Sequence, residues 1–185
     1  MKYPQHIGLC GFGGQGIILS AVILGTTAVT KGNLYAVQTQ SYGSEARGGQ
    51  CQAELIIDDK PINSPVAQTK HLLIAMYQDA YNKYIETLEE DGILIIDSDL
   101  VKELSRPIRN TFSVPATQLA ADLGNRMAAN MVMLGFVSEC CGILKKSDLI
   151  EVVTDSVSKR FVELNIKAIE AGINYAITNN LHCCG

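Results

Sequence analysis

A glycine-rich segment between an apolar run and a helix-like segment constrains the fold of this chain more than any other feature. Residues 6–10 are largely apolar and predict a buried strand, and the sequence G-F-G-G-Q-G follows at residues 11–16. Residues 17–31 then carry apolar side chains at helical spacing, and Gly32 suits the position just past a helix. A strand, a glycine-rich turn and a helix in this order are typical of the first unit of an α/β fold.

The apolar pattern continues along the first half of the chain. One helix is predicted at about residues 79–90, and four further strands are predicted at residues 34–39, 51–57, 71–76 and 92–97. Because continuous apolar strands separated by helices are covered on both faces, they indicate a mostly parallel sheet.

The pattern becomes helical after about residue 115. Asn125 is a candidate cap of a helix that ends at Gly142, and Ser147 begins another helix with one apolar side that extends to Ala168. We therefore predict a Rossmann-like α/β fold, with a mostly parallel sheet, helices on both faces and a helical C-terminal third. Residues 1–185 are expected to form a single domain.

Charge and hydropathy exclude several classes of function. A net charge of -4, with no concentration of positive charge along the sequence, gives no electrostatic reason to expect nucleic acid binding. No apolar run reaches the roughly 18 residues of a membrane span, and the N-terminal segment enters a strand without the apolar core of a signal peptide. We expect a cytoplasmic protein.

The six cysteines show no spacing typical of a metal or cluster site. They are Cys10, Cys51 and the adjacent pairs Cys140–Cys141 and Cys183–Cys184. No C-x-x-C motif is present, so neither the usual zinc spacing nor a ferredoxin-type cluster is predicted. We expect structural or incidental roles for all six and no dedicated metal site, although His182, Cys183 and Cys184 could bind a metal incidentally.

The first glycine-rich loop leaves three interpretations open. Its candidate site residues are Gly11, Gly13, Gly14, Gln15 and Gly16. The glycines permit a tight turn and close helix packing, or they let an anionic or polar ligand approach the helix N-terminus. A dinucleotide site would also require an acidic residue at the end of the second strand, where Gln38 stands.

A second glycine-rich loop follows the predicted second strand and should lie near the first loop, at the carboxyl edge of the sheet. Its candidate residues are Ser41, Tyr42, Glu45, Arg47, Gly48 and Gly49. Two interpretations remain open. Glu45 and Arg47 form a solvated surface pair, or Arg47 binds a carboxylate or phosphate.

Three other sets of polar residues are weaker candidates. Asn130 interrupts an apolar stripe, and we interpret it as a hydrogen-bonded core residue more readily than as a ligand contact. The acidic segment at residues 97–99 resembles a metal or acid–base cluster but suits the capping of the next helix better. His71 opens a strand and has no partnered serine or cysteine, so the residues alone predict no catalytic machinery.

Five ordered motifs, at residues 11–16, 41–49, 61–65, 97–99 and 124–131, carry a resemblance to a known family. Together they closely resemble the gamma subunit of 2-oxoacid:ferredoxin oxidoreductases. The two glycine-rich loops are most similar to the 2-oxoglutarate type.

This resemblance implies a role in an enzyme complex. The family oxidatively decarboxylates a 2-oxoacid, joins the acyl group to coenzyme A and passes electrons to ferredoxin. The expected partners are alpha and beta subunits, and in some complexes a small ferredoxin-like subunit; these carry the thiamine diphosphate, magnesium and iron–sulfur clusters. This chain is then expected to hold no cofactor, to lie near the coenzyme A path and to be inactive alone. The alternatives are a stand-alone Rossmann-like nucleotide-binding or regulatory protein and an independent NAD-dependent oxidoreductase.

Overall fold

The structure, a computed structural model, describes residues 3–42 and 49–183, and for Tyr42 it describes the backbone only. Six strands form its sheet: β1 (Gln5–Phe12), β2 (Tyr35–Tyr42), β3 (Gln50–Asp58), β4 (Lys70–Ala75), β5 (Leu88–Asp97) and β6 (Asn110–Val114). Six α-helices accompany the strands: α1 (Ile17–Thr30), α2 (Gln78–Tyr84), α3 (Ala116–Asp122), α4 (Ala129–Cys141), α5 (Lys146–Ser156) and α6 (Val162–Thr178).

The sheet is mixed, with strand order β2-β3-β1-β4-β5-β6. β1, β4, β5 and β6 pair in parallel, whereas β3 runs antiparallel to both β1 and β2. Five of the six strands therefore point in one direction, which confirms the predicted mostly parallel sheet. The reversed strand β3 lies between β1 and β2, so the second strand of the chain is not the neighbour of the first.

Helices cover both faces of the sheet. The larger core joins one face of the sheet to helices that include α1, α4 and α6, through buried residues such as Leu24, Phe136 and Ile169. The smaller core lies on the opposite face, where Tyr81 and Ile85 pack on Leu73 and Leu94. No helix among the described residues is long and apolar enough to cross a membrane.

Two helix predictions were wrong in extent. The helix predicted at residues 79–90 ends at Tyr84, and β5 already begins at Leu88. The helix predicted from Ser147 through Ala168 is two helices, because the backbone is extended at Val157 and Ser158 between α5 and α6. Their apolar residues share a stripe because both helices pack on the same core, so periodicity alone could not separate them.

The helical third is held together by a close approach of α4 and α6. A Cβ atom added to Gly172 would lie 1.9 Å from the carbonyl oxygen of Val132, and one added to Gly135 would lie 2.0 Å from that of Ile169. The two backbones therefore touch where each helix carries a glycine. This contact fixes α4, and with it the position of Asn130 in its first turn.

Candidate functional site

The first glycine-rich loop turns sharply from the carboxyl end of β1 into α1. Gly14 and Gly16 both have a positive φ, of 93° and 73°, a backbone conformation that residues with a side chain rarely adopt. Gly16 is the N-cap of α1 and supplies no side chain, and the first turn of the helix contains no acidic residue. Gly16 therefore provides no side-chain cap for the free N–H groups at the start of α1.

Gln15 ties the loop to two strands. Its Oε1 accepts a hydrogen bond from the backbone N–H of Phe12 at 2.6 Å, and its Nε2 donates to the carbonyl oxygen of Met76 at 2.9 Å. Phe12 ends β1, and Met76 directly follows β4. Gly11 leaves the room for this side chain, since an added Cβ there would lie 2.6 Å from Gln15 Oε1. Gln15 therefore positions the loop.

The described end of the second glycine-rich loop meets the first loop at the carboxyl edge of β1 and β2, as predicted. The N–H of Gly13 donates a hydrogen bond to the carbonyl oxygen of Gly49 at 3.2 Å. Ser41 is exposed near the end of β2, beside the backbone of Tyr42. Glu45, Arg47 and Gly48 lie outside the described residues, so both interpretations of Arg47 stay open.

The strand order separates this site from a dinucleotide site. In a dinucleotide-binding unit the acidic residue at the end of the second strand reaches the ribose because that strand neighbours the first. Here β3 intervenes, and β2 lies two strand positions from β1, roughly 9–10 Å. Gln38 lies in the middle of β2 beside Val22 and Gly25 of α1, not at the strand end.

Asn130 joins the loop to the first turn of α4. Its side chain is buried, and its Nδ2 lies 3.4 Å from the carbonyl oxygen of Gly16 and 3.3 Å from Ser20 Oγ. Ser20 Oγ also donates to the Gly16 carbonyl oxygen at 3.0 Å. The prediction of a hydrogen-bonded core residue is confirmed, and Asn130 also reaches the surface of a cleft.

This cleft has a volume of about 380 Å³ and opens beside the glycine-rich loop. Apolar side chains form much of it, and three asparagines add polar groups; its lining includes Gly14, Gly16, Asn125, Met127, Asn130, Phe161, Leu164 and Asn165. None of the described residues that line it is acidic, basic, a cysteine or a tyrosine. The cleft therefore offers shape, amide groups and a helix N-terminus, but no group for acid–base catalysis.

The wall of the cleft that comes from the start of α6 was not predicted from the sequence. The apolar pattern predicts Phe161 and Leu164 on one face of a continuous helix, whereas the helix is interrupted before Phe161. Ser158, a residue type that favours helix N-termini, was the signal for a second helix start.

The acidic segment at the end of β5 caps a helix, as predicted. Asp97 accepts hydrogen bonds from Thr117 Oγ1 at 2.6 Å and from the N–H of Asp99 at 3.0 Å, while Asp99 accepts one from the N–H of Gln118 at 2.7 Å. Thr117 and Gln118 lie in the first turn of α3. Burial raises the pKa of Asp97, and the hydrogen bonds oppose that shift. These carboxylates hold α3 on the sheet.

Asn125 caps the next helical segment, as predicted. Its Oδ1 accepts a hydrogen bond from the N–H of Met127 at 3.0 Å, at the start of a short 3₁₀ turn that leads into α4.

His71 also has structural contacts: its ring stacks on His6 with 4.8 Å between the ring centroids, and its Nε2 lies 3.5 Å from a Glu89 oxygen.

Comparisons with known proteins agree on one family. The profile of the family described as "Pyruvate ferredoxin/flavodoxin oxidoreductase" matches residues 6–175. The chain is similar to the "2-oxoglutarate synthase subunit KorC" of Methanocaldococcus jannaschii, with 39% identity over 179 residues that cover 95% of this chain and 96% of the relative. The protein of the same name from Methanothermobacter thermautotrophicus is 41% identical over 180 residues, 93% of this chain and 95% of the relative.

A solved structure shares the fold. The gamma subunit of a keto/oxoacid ferredoxin oxidoreductase from Geobacter sulfurreducens superposes with a TM-score of 0.86 at 36% identity. The match covers 96% of this chain and 98% of that one.

Proposed function

Because the chain belongs to the pyruvate ferredoxin/flavodoxin oxidoreductase family, we propose that it is the gamma subunit of a 2-oxoglutarate:ferredoxin oxidoreductase. The similarity to 2-oxoglutarate synthase subunits carries this proposal, because it spans nearly the full length of both chains. The complex breaks the bond between the carboxylate and the oxo carbon of 2-oxoglutarate and releases carbon dioxide. The acyl group joins the sulfur of coenzyme A, and the electron pair passes to ferredoxin.

The chemistry of the cleft supports a non-catalytic role for this chain. Decarboxylation of a 2-oxoacid needs a group that stabilises a carbanion, and thiamine diphosphate on the alpha and beta subunits would supply it. Among the described residues that line the cleft, the polar side chains are amides and hydroxyls, and none is acidic, basic or a thiol. The gamma subunit would therefore contribute binding and positioning, in the cytoplasm, together with its partner subunits.

The edge that carries both glycine-rich loops is the surface that would face the partner subunits and coenzyme A. Gly13 and Gly49 bring the two loops together, and the N-terminus of α1 opens on the adjacent cleft. Coenzyme A carries phosphate groups, which favour helix N-termini and arginine side chains. Arg47, between Ala46 and Gly48, is our candidate for such a contact.

Co-purification tests this assignment. A tagged copy of this chain, isolated from its own cells at low salt, should bring down the alpha and beta subunits in equal amounts together with thiamine diphosphate. A matched copy with Gly13→Glu and Gly49→Glu should lose these partners, because the substitutions place charge on the proposed contact edge. Recovery of the unaltered chain as a lone species would contradict the proposal.

A further inference from the structure

Three cysteine side chains that are distant in the sequence converge at the C-terminal end of α4. Cys140 and Cys141 lie in the last turn of that helix, and Cys183 lies in the tail beyond α6. The Sγ atom of Cys183 is 2.7 Å from that of Cys140 and 2.9 Å from that of Cys141. All three Sγ atoms lie within 4.8 Å of one another.

The fold of the tail produces this convergence. After α6, the N–H of Leu181 donates to the carbonyl oxygen of Ala176 at 3.0 Å, which turns the chain back. The N–H of Cys183 then donates to the carbonyl oxygen of Cys140 at 2.8 Å. Cys140 and Cys141 are buried and Cys183 is partly buried, so the three sulfurs form a largely buried cluster.

We propose that Cys140, Cys141 and Cys183 bind one zinc ion. Each thiol loses its proton to solvent and forms one zinc–sulfur bond, and a water molecule takes the fourth position. Zinc–thiolate bonds of about 2.3 Å in a tetrahedron require sulfurs roughly 3.8 Å apart, so the cluster has to open by about 1 Å. Side-chain rotation at the partly buried Cys183 can supply that movement.

The number of converging sulfurs favours a metal ion over a simple cysteine pair. A disulfide would bond two of the sulfurs, need an oxidant and leave the third thiol without a role, whereas a metal ion uses all three. The sequence predicts no dedicated metal site, because adjacent cysteines and a distant third do not form a recognised spacing.

The test begins with the full chain, purified under a reducing agent that does not chelate metals. Elemental analysis should find one zinc per chain. After removal of the zinc, addition of Co²⁺ should give the intense near-ultraviolet absorption that arises from sulfur-to-cobalt charge transfer. This signal needs no variant, so a folding defect cannot obscure it.

Cys183→Ser is the informative variant, and Cys51→Ala is its control. Cys51 lies on β3, outside the cluster. Cys183→Ser should weaken zinc binding by at least about 100-fold, more than changes beyond the direct ligands cost, and should weaken the charge-transfer band because one of the three thiolates is lost. Cys51→Ala should retain both. A reduced wild-type chain with no zinc and no cobalt charge transfer would overturn the proposal, as would another metal in its place or a native mass lower by a pair of hydrogen atoms.

Discussion

The side-chain amide of Asn130 occupies the space into which a side chain at Gly16 would project. A Cβ atom added to Gly16 would lie 2.4 Å from Asn130 Nδ2, and the same nitrogen lies 3.4 Å from the Gly16 carbonyl oxygen. Two segments separated by more than a hundred residues therefore share one tightly packed position. This contact sets the distance between the glycine-rich loop and α4, and hence the shape of the cleft.

Gly16→Ala should destabilise the chain by roughly 2–4 kcal/mol. The positive φ of Gly16 costs a residue with a side chain about 1–2 kcal/mol, and displacement of the Asn130 amide adds to that cost. Gly14→Ala is the matched control, since Gly14 also has a positive φ but an added Cβ meets no atom within 4 Å. Chemical denaturation compares the two variants. Equal losses of unfolding free energy would show that the contact with Asn130 is unimportant.

A double variant tests the same contact from the other side. Asn130→Ala removes the amide, so the steric part of the Gly16→Ala cost should disappear in the combined variant. The double variant should therefore lose less stability than the sum of the two single variants. Additive losses in the same denaturation series would contradict this coupling.

Gly172→Ala should destabilise the chain by about 3 kcal/mol or more. The added methyl group meets the backbone carbonyl of Val132 on α4, and backbone cannot move aside as a flexible side chain does. Asn174→Ala, at an exposed position of the same helix, is the control and should be close to neutral. The measurement is the melting temperature of each variant. A Gly172→Ala chain that melts with the wild type would show that α4 and α6 are less closely packed.

Lowering the pH should reduce the free energy of unfolding through the protonation of His6. Burial, and then the neighbouring His71, lower the pKa of His6 from its ordinary value of 6.5; Lys70 acts in the same direction, and Glu89 and the Thr69 backbone oppose it. The fold therefore favours the neutral ring. The contribution of the neutral His6 ring to the free energy of unfolding is complete above about pH 6.5. It is lost as the pH falls through the lower pKa of the folded state.

The titration of His6 can be followed by NMR, and the folded chain should show a midpoint below 6.5. His6→Gln should make the unfolding free energy less dependent on pH between about pH 7 and pH 5. A His6 midpoint above the ordinary value would reverse the sign of this prediction.

Much of the fold was predictable from local patterns in the sequence. The buried parallel strands are continuous apolar runs, and the caps at Asn125 and Gly142 follow directly from residue type. The place of β3 was not predictable, because an antiparallel strand between β1 and β2 depends on pairing over long sequence distances. The same limit applies to the cysteine cluster, which exists only because the tail folds back on α4. β6 was also missed, since its sequence N-T-F-S-V is short and partly polar.

The candidate site was predictable in part. The proximity of the two glycine-rich loops was predictable because each loop follows the carboxyl end of a strand, and Asn130 stands out in the sequence as a polar residue on an apolar stripe. The wall formed by Phe161 and Leu164 was not predicted, because the apolar residues of α5 and α6 form a single helical pattern in the sequence.

Arg47→Ala should reduce turnover or assembly of the reconstituted complex by roughly 30-fold or more. A buried charge-assisted contact contributes on the order of 2–4 kcal/mol to binding, whereas an exposed loop pair contributes at most about 1 kcal/mol to folding. The melting temperature of the isolated chain should therefore barely change. Arg47→Lys should restore little if the contact is bidentate. Lys60→Ala removes a charge from an exposed turn elsewhere in the chain and is the control. Full activity and assembly in Arg47→Ala would leave Arg47 as a solvated loop residue.

Reconstitution of activity tests the central claim most directly. Reduction of ferredoxin, or of a viologen dye, is measured with 2-oxoglutarate, coenzyme A, thiamine diphosphate and magnesium, for this chain alone, for its partner subunits alone and for the complete set. We predict turnover only in the complete set, with 2-oxoglutarate preferred over pyruvate and branched-chain 2-oxoacids. Turnover by this chain alone, or equal turnover by the partner subunits without it, would contradict its assignment as a required, non-catalytic gamma subunit.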